Sequence, residues 1–235
     1  MKRNFFHLVV IIFLMAGMSC KNQQSGGKVK LESAADSAGY AIGILVGSNN
    51  KQQINSVPGG DEINLDAMNY GFRSATLGEE TDITMEEADA ILRSYIDQAS
   101  AKAGQANLES GNSFLEENRK RDGVNVTGSG LQYEVLKEGT GDKPTAEDRV
   151  RVHYHGTLID GTVFDSSVDR GEPAVFGVNQ VIAGWTEALQ LMPAGSKWKI
   201  YIPSELGYGE RGAGGDIGPN STLIFEVELL EIVKE

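Results

Sequence analysis

The sequence predicts an α+β protein. An all-helical N-terminal domain with a long linking helix comes first, then a strongly twisted antiparallel sheet wrapped on one short helix. Three observations carry this reading. From about residue 33 to 123, apolar residues recur at helical spacing and proline occurs once, at Pro58. After Gly123 the period changes to two, over residues 131–137, 150–159, 196–202 and 222–232. In that second half only residues 184–192 fit a short helix, and one helix against an antiparallel sheet is an α+β arrangement.

The helical half divides into three segments. Residues 36–48 carry Gly39, Gly43 and Gly47 four apart on one stripe. Glycine is a poor helix former, so a stripe of three points to close approach by another helix. The apolar stretch 40–46 is too short for a membrane-spanning glycine dimer motif, which favours soluble helix packing. Residues 55–64 hold Pro58, Gly59 and Gly60 and read as a loop. A second helix is expected over 65–77, with Leu65, Met68, Phe72 and Ala75 inward and Gly78 as its stop. The third is expected over 85–122, opened by a capping box of Thr84 and Glu87 and closed by Gly123. Gly104 and Gly111 lie inside it as sites for a kink or a break. Its face from Ala88 to Ala106 is thin and rich in alanine, so it needs a partner, either the shorter helices or a second copy.

The bulk numbers narrow the function. The chain has 235 residues, 40% of them hydrophobic, and a formal net charge of -12. An acidic surface repels phosphate backbones, which argues against nucleic acid. One cysteine excludes an internal disulfide framework. No metal is expected: His153 and His155 are two apart on a strand, pointing to solvent, and no third ligand is evident. Gly207 to Gly212 spells GxGxxG, but glycines and a proline follow it instead of a helix, so it is no dinucleotide fingerprint. Ser166, Ser167, His153 and Asp165 could suggest a hydrolase triad, but no nucleophile elbow is present.

The N-terminus reads as an address. Lys2 and Arg3 precede an apolar run over 8–16, and Gly17, Met18, Ser19 and Cys20 follow. That is the order of a secretory signal, and the run is too short to span a bilayer comfortably. Cys20 stands where cleavage would occur, and the segment resembles a bacterial lipoprotein signal, although Gly17 replaces the usual leucine. The resemblance implies an acylated Cys20 and a cell-envelope protein, lipid-anchored and facing the periplasm or the cell surface of a Gram-negative-type bacterium. A plain cleaved signal or an uncleaved anchor is the alternative. Residues 1–19 are then the signal, 20–32 a flexible tether, 33–123 the helical domain and 124–235 the sheet domain.

The sheet domain carries a family resemblance. Residues 152–167 (VHYHGTLIDGTVFDSS), 181–185 (VIAGW), 206–209 (LGYG) and 217–225 (IGPNSTLIF) resemble the core, pocket floor, flap entry and closing strand of the FKBP family. Residues 111–118 and 128–133 are similar to the Mip-like members, which implies a dimerising helical domain on a long helix. The resemblance implies an FKBP-like sheet and peptidyl-prolyl cis-trans isomerase activity without cofactor. It implies a pocket lined by Tyr154, Phe164, Asp165, Val181, Ile182, Trp185, Tyr208, Ile217 and Phe225. Within that set Asp165, Tyr208, Tyr154 and Phe225 are the expected catalytic residues. Proline-containing polypeptides are the implied clients, macrolides of the kind FKBPs bind are implied inhibitors, and a homodimer is the implied assembly. Ala174 stands where the family often has phenylalanine, so the pocket is expected to be wider there. A chaperone or peptide-binding module with a weak or vestigial site is the alternative function.

Overall fold

The structure is a computed structural model and describes residues 29–233. The signal and most of the tether, Cys20 included, lie outside the described residues. The chain forms two compact units, the first ending at Val46 and the second beginning at Gly47.

The first unit contains most of α1, which spans Ala34–Asn55 and is longer than the periodicity implies. Ser33 and Asp36 open it reciprocally: the Asp36 amide donates to the Ser33 hydroxyl at 3.1 Å, and the Ser33 amide donates to the Asp36 carboxylate at 2.8 Å. No residue of α1 is buried, and a Cβ at Gly39, Gly43 or Gly47 would meet nothing within 4 Å.

In the second unit, the expected loop contains a single 3₁₀ turn at Gly60–Glu62, and the Tyr95 hydroxyl donates to the Gly59 carbonyl at 2.8 Å. Helix α2, Leu65–Leu77, has the expected bounds; Asn64 caps its start and Gly78 ends it at φ 68°. Its expected inward face is corrected, however. Leu65, Phe72 and Ala75 are exposed and Met68 is half-buried, because no described residue covers that side.

Helix α3 runs unbroken over Met85–Asn118, with the Thr84–Glu87 capping box formed. Gly104 and Gly111 do not split it; both are buried in it. The helix stops before Arg119–Arg121, so those cations lie beyond its last turn. Its C-terminal end is fastened to the sheet. Leu115 is buried, and the Asn118 amide donates to Gln132 at 2.9 Å. Gln132 in turn donates to the Leu115 carbonyl at 2.9 Å, and Arg121 reaches the Tyr201 hydroxyl at 3.0 Å and Glu134 at 3.2 Å.

The sheet has seven strands: β1 Val124–Val126, β2 Gln132–Lys137, β3 Arg149–Leu158, β4 Val163–Ser166, β5 Ala174–Gly177, β6 Lys197–Ile202 and β7 Leu223–Val233. The order is β1-β2-β6-β7-β3-β4, and β5 also pairs with β3. All pairings are antiparallel. A four-residue helical turn, α4 (Ser167–Arg170), follows β4, and α5 (Ala183–Leu191) is the short helix under the sheet. Period two was visible in the four longer strands. The three short ones, β1, β4 and β5, have three or four residues each and too few alternations to register.

One face of the sheet closes on α5. Val150, Val152, Trp198, Ile200, Ile202, Leu223, Val227 and Leu229 from the strands bury against Ala188, Leu189 and Met192. Gly184 lets the helix come close, since a Cβ there would lie 2.6 Å from Ile202 Cγ2. The long linking helix and the sheet wrapped on one short helix are the architecture expected from the sequence.

Candidate active site

The strand alternation decides what reaches the cavity. On β3, Val152 and Tyr154 face α5, while His153 and His155 face the other way. These histidines are not simply solvent-facing, as expected; both are half-buried against α4. His153 Nδ1 lies 3.1 Å from the Ser167 hydroxyl and His155 Nδ1 lies 3.0 Å from that of Ser166. Ser167 is fully buried and its hydroxyl takes the Tyr154 amide at 2.8 Å. It is a structural tie on the far side of the strand, so no hydrolase triad forms.

The cavity has a volume of about 430 Å³ and is lined by Tyr154, Asp165, Phe176, Gln180, Val181, Ile182, Trp185, Tyr208 and Phe225. Trp185, in the first turn of α5, is 4% exposed. Three rings stand nearly perpendicular or tilted around it: Tyr154 at 5.4 Å and 87°, Phe225 at 5.2 Å and 84°, and Phe176 at 5.9 Å and 84°. Edge-to-face contact suits the aromatic quadrupole and holds each ring in one orientation. The Trp185 indole N–H is buried without a protein acceptor, a condition with a cost of about 1–3 kcal/mol.

One wall is polar. The Tyr154 hydroxyl donates to Asp165 at 2.5 Å and accepts from Arg170 at 2.7 Å. Arg170 also forms an ion pair with Asp165, and its guanidinium carbon lies 5.6 Å from the Tyr154 ring centre. Burial alone would raise the Asp165 carboxyl, but hydrogen bonds from Tyr154 and Arg170, and the charge of Arg170, outweigh it and hold the group below the usual carboxylate value. Burial, with the neighbouring carboxylate, pushes the Tyr154 phenol up. Hydrogen bonds to the Asp165 carboxylate and the Tyr154 hydroxyl likewise keep Arg170 charged. The clamp depends on α4: its single turn brings Arg170 back over Asp165 five residues on, with Ser166 capping the turn through the Asp169 amide at 3.1 Å.

Seven of the nine expected residues line this cavity. Phe164 and Ile217, also expected there, do not. Phe164 stands behind Phe225, ring centres 5.3 Å apart at 85°, and Ile217 is buried and bridged to Ala213. The wider side expected at Ala174 is also corrected. Ala174 does not line the cavity, whereas Phe176, two residues on and on the same face of β5, does. Phe176, Gln180 and Arg170 were missed by the sequence reading. β5 is too short for its alternation to mark Phe176, and Arg170 is marked in sequence only as a cation five residues after Asp165.

A concave aromatic cavity with one ion-paired carboxylate and no base paired to an exposed nucleophile suits binding and distortion rather than covalent chemistry. Comparison with known proteins agrees. A family model described as FKBP-type peptidyl-prolyl cis-trans isomerase matches residues 141–230. A second, described as the domain amino terminal to FKBP-type peptidyl-prolyl isomerase, matches residues 35–135. The chain is 52% identical over 199 residues to the FKBP-type 22 kDa peptidyl-prolyl cis-trans isomerase of Escherichia coli, covering 83% of this chain and 94% of that protein. It is 44% identical over 206 residues to the outer membrane protein MIP of Legionella longbeachae, covering 85% and 86%. The crystal structure of FkpA from Escherichia coli matches with a TM-score of 0.61 at 33% identity, covering 86% of this chain and 98% of that one. The chain therefore belongs to the FKBP-type peptidyl-prolyl cis-trans isomerases, with the helical domain that precedes the catalytic one in its Mip-like and FkpA-like members.

Proposed function

We propose that this isomerase acts on X-Pro bonds of exported proteins in the cell envelope, held to a membrane by a lipid on Cys20 and working as a homodimer through residues 33–123. The aromatic cavity carries the catalytic part of the reading. Rotation about an X-Pro amide is slow because resonance holds the bond planar, with a barrier of about 18–20 kcal/mol. The twisted amide loses conjugation and becomes less polar, so an apolar cavity that fits it better than the planar form lowers the barrier without nucleophile or metal. In this reading Trp185 is the floor under the proline ring. Tyr154, Phe176, Val181 and Phe225 form the walls, with Phe164 and Ile217 supporting them from behind. The Ile182 backbone N–H and the Tyr208 hydroxyl hold peptide carbonyls. Asp165 keeps Tyr154 upright and places a carboxylate, already matched by Arg170, at the edge of the reacting amide.

The envelope location rests on the signal-like N-terminus and on a relative named as an outer membrane protein. A protease-coupled assay on the chain from Lys21 to Glu235 tests the reaction: it should accelerate Leu-Pro or Phe-Pro test peptides and survive chelation. Failure to accelerate either peptide would favour the peptide-binding alternative. Mass spectrometry of the processed N-terminus, with Cys20→Ser as control, tests the anchor. An unacylated Cys20 would refute it.

A further inference from the structure

Helix α3 carries two glycines that its own continuity does not need. Both face the loop leading into β7. A Cβ on Gly111 would lie 2.3 Å from the Thr222 Oγ1, and one on Gly104 would lie 3.1 Å from Pro219 Cβ and 3.3 Å from Asn220 Nδ2. The two glycines are seven residues apart, about two turns, and therefore share a face. Asn107 lies between them on that face and donates its side-chain amide to the Pro219 carbonyl at 2.8 Å. A Cβ on Gly218 would in turn come within 3.1 Å of Asn107 Nδ2. The helix thus offers a notch, and the loop 218–222 fills it.

The loop reaches the cavity through one residue. Asn220 is the non-glycine residue with positive φ among the described residues, at 54°, a left-handed conformation that asparagine tolerates better than most side chains. Its side-chain amide reaches the Gly104 carbonyl at 3.4 Å, and its backbone N–H donates to the Gly209 carbonyl at 2.8 Å. Gly209 directly follows Tyr208, which lines the cavity while 41% exposed. Burial alone therefore does not fix Tyr208. The hydrogen bond from Asn220 holds the adjoining peptide, and α3 holds Asn220.

We infer that α3 is a working part of the isomerase site: Asn107, Gly111 and Asn220 are positioning residues that set where Tyr208 meets the bound chain. The inference rests on the place of Tyr208 in the proposed site. It gives the helical region a role in recognition in addition to spacing, because the loop that holds Gly209, next to Tyr208, is seated on the helix itself.

The test uses the chain from Lys21 to Glu235, the protease-coupled assay and binding of an FKBP-type macrolide. The variants are Asn107→Ala, Gly111→Ala, the double variant Gly111→Ala with Thr222→Ala, and Tyr208→Ala. Alanine favours helix more than asparagine or glycine does, so weakened helix formation does not explain a loss at 107 or 111. Both single α3 variants should lower kcat/KM about 2- to 10-fold, the range set by one net hydrogen bond. The loss should appear mainly in KM, with macrolide affinity falling in parallel. Removing the Thr222 hydroxyl should restore most of the Gly111→Ala loss. If Gly111→Ala does not fold, Asn107→Ala carries the test alone, since it removes an amide without adding bulk. Wild-type kcat/KM and macrolide affinity in a folded Asn107→Ala chain overturn the inference if Tyr208→Ala is impaired. Full activity in Tyr208→Ala overturns the site reading beneath it.

Discussion

Asp165 joins charge, shape and chemistry in one side chain. It accepts from the Tyr154 hydroxyl and pairs with Arg170, so its removal frees a cavity wall as well as a carboxylate. Asp165→Ala should lower kcat/KM with little loss of fold, because the side chain is nearly half exposed. Wild-type kinetics in that variant would remove the residue from the mechanism. Its pH behaviour follows from the same contacts. The folded carboxyl lies below its unfolded value, so its stabilising contribution is present above the unfolded value of about 3.9 and is lost as pH falls through the lower folded one. The Tyr154 phenol is shifted up and stays protonated past its ordinary value of about 10. Activity should therefore stay level between roughly pH 5 and 9, with the acid limb starting below the ordinary aspartate range. A profile that bends near pH 5 would contradict this. Phe176 supplies a second prediction at this scale. Phe176→Ala removes one ring from around Trp185 and should weaken macrolide binding roughly 2- to 10-fold, the worth of an aromatic pair. Ala174→Phe should not tighten it, because position 174 does not line the cavity. Titration calorimetry of both variants distinguishes them.

Among the elements, β3 carries the most constraint. It pairs with β4, β5 and β7 and delivers Tyr154 to the cavity. Gly156, two residues on, leaves room for aromatic packing: a Cβ there would lie 2.8 Å from both Phe164 and Phe225. Gly156→Ala should cost about 1–3 kcal/mol by overpacking and should lower macrolide affinity as Phe225 shifts. Adding Phe164→Leu should recover part of both, in a melting curve and a binding isotherm. Unchanged melting and binding in Gly156→Ala would mean that the wall yields freely. The elements also show how far the sequence could be read. Period two located the four longer strands, and a capping box placed the start of α3 to the residue. The glycines of α3 look like breakers in sequence because propensity records only their cost. Thr222, Pro219 and Asn220, which explain them, lie more than a hundred positions away. Seven lining residues followed from quoted motifs. Phe176 and Gln180 lie between the quoted motifs, in short β5 and the 3₁₀ turn Val178–Gln180, where no alternation marks a face.

At the scale of the molecule, α1 and α2 each carry apolar side chains that no described residue buries. Tyr40, Ile42, Ile44 and Leu45 of α1 are more than half exposed, as are Tyr70 and Leu77 of α2. A helix of this kind is marginal alone in water and draws its stability from packing. Gly39, Gly43 and Gly47 leave a groove in which no described residue comes within 4 Å of where a Cβ would stand. Three glycines on one stripe weaken a helix unless a neighbour uses the space. A second copy offers a matching surface: the same groove and the same apolar side chains, in the self-complementary manner of a two-fold interface. Two cavities on one assembly would also raise the effective concentration for a client that has released the first. Light scattering on the chain from Lys21 to Glu235 should therefore give twice the chain mass at micromolar concentration. Gly43→Leu should fill the groove and shift the mass toward the monomer, while kcat/KM on a short peptide stays near wild type because residue 43 lies outside the cavity. A monomer mass in the unaltered chain, left unchanged by Gly43→Leu, would refute the dimer and leave the apolar side chains of α1 and α2 for client binding.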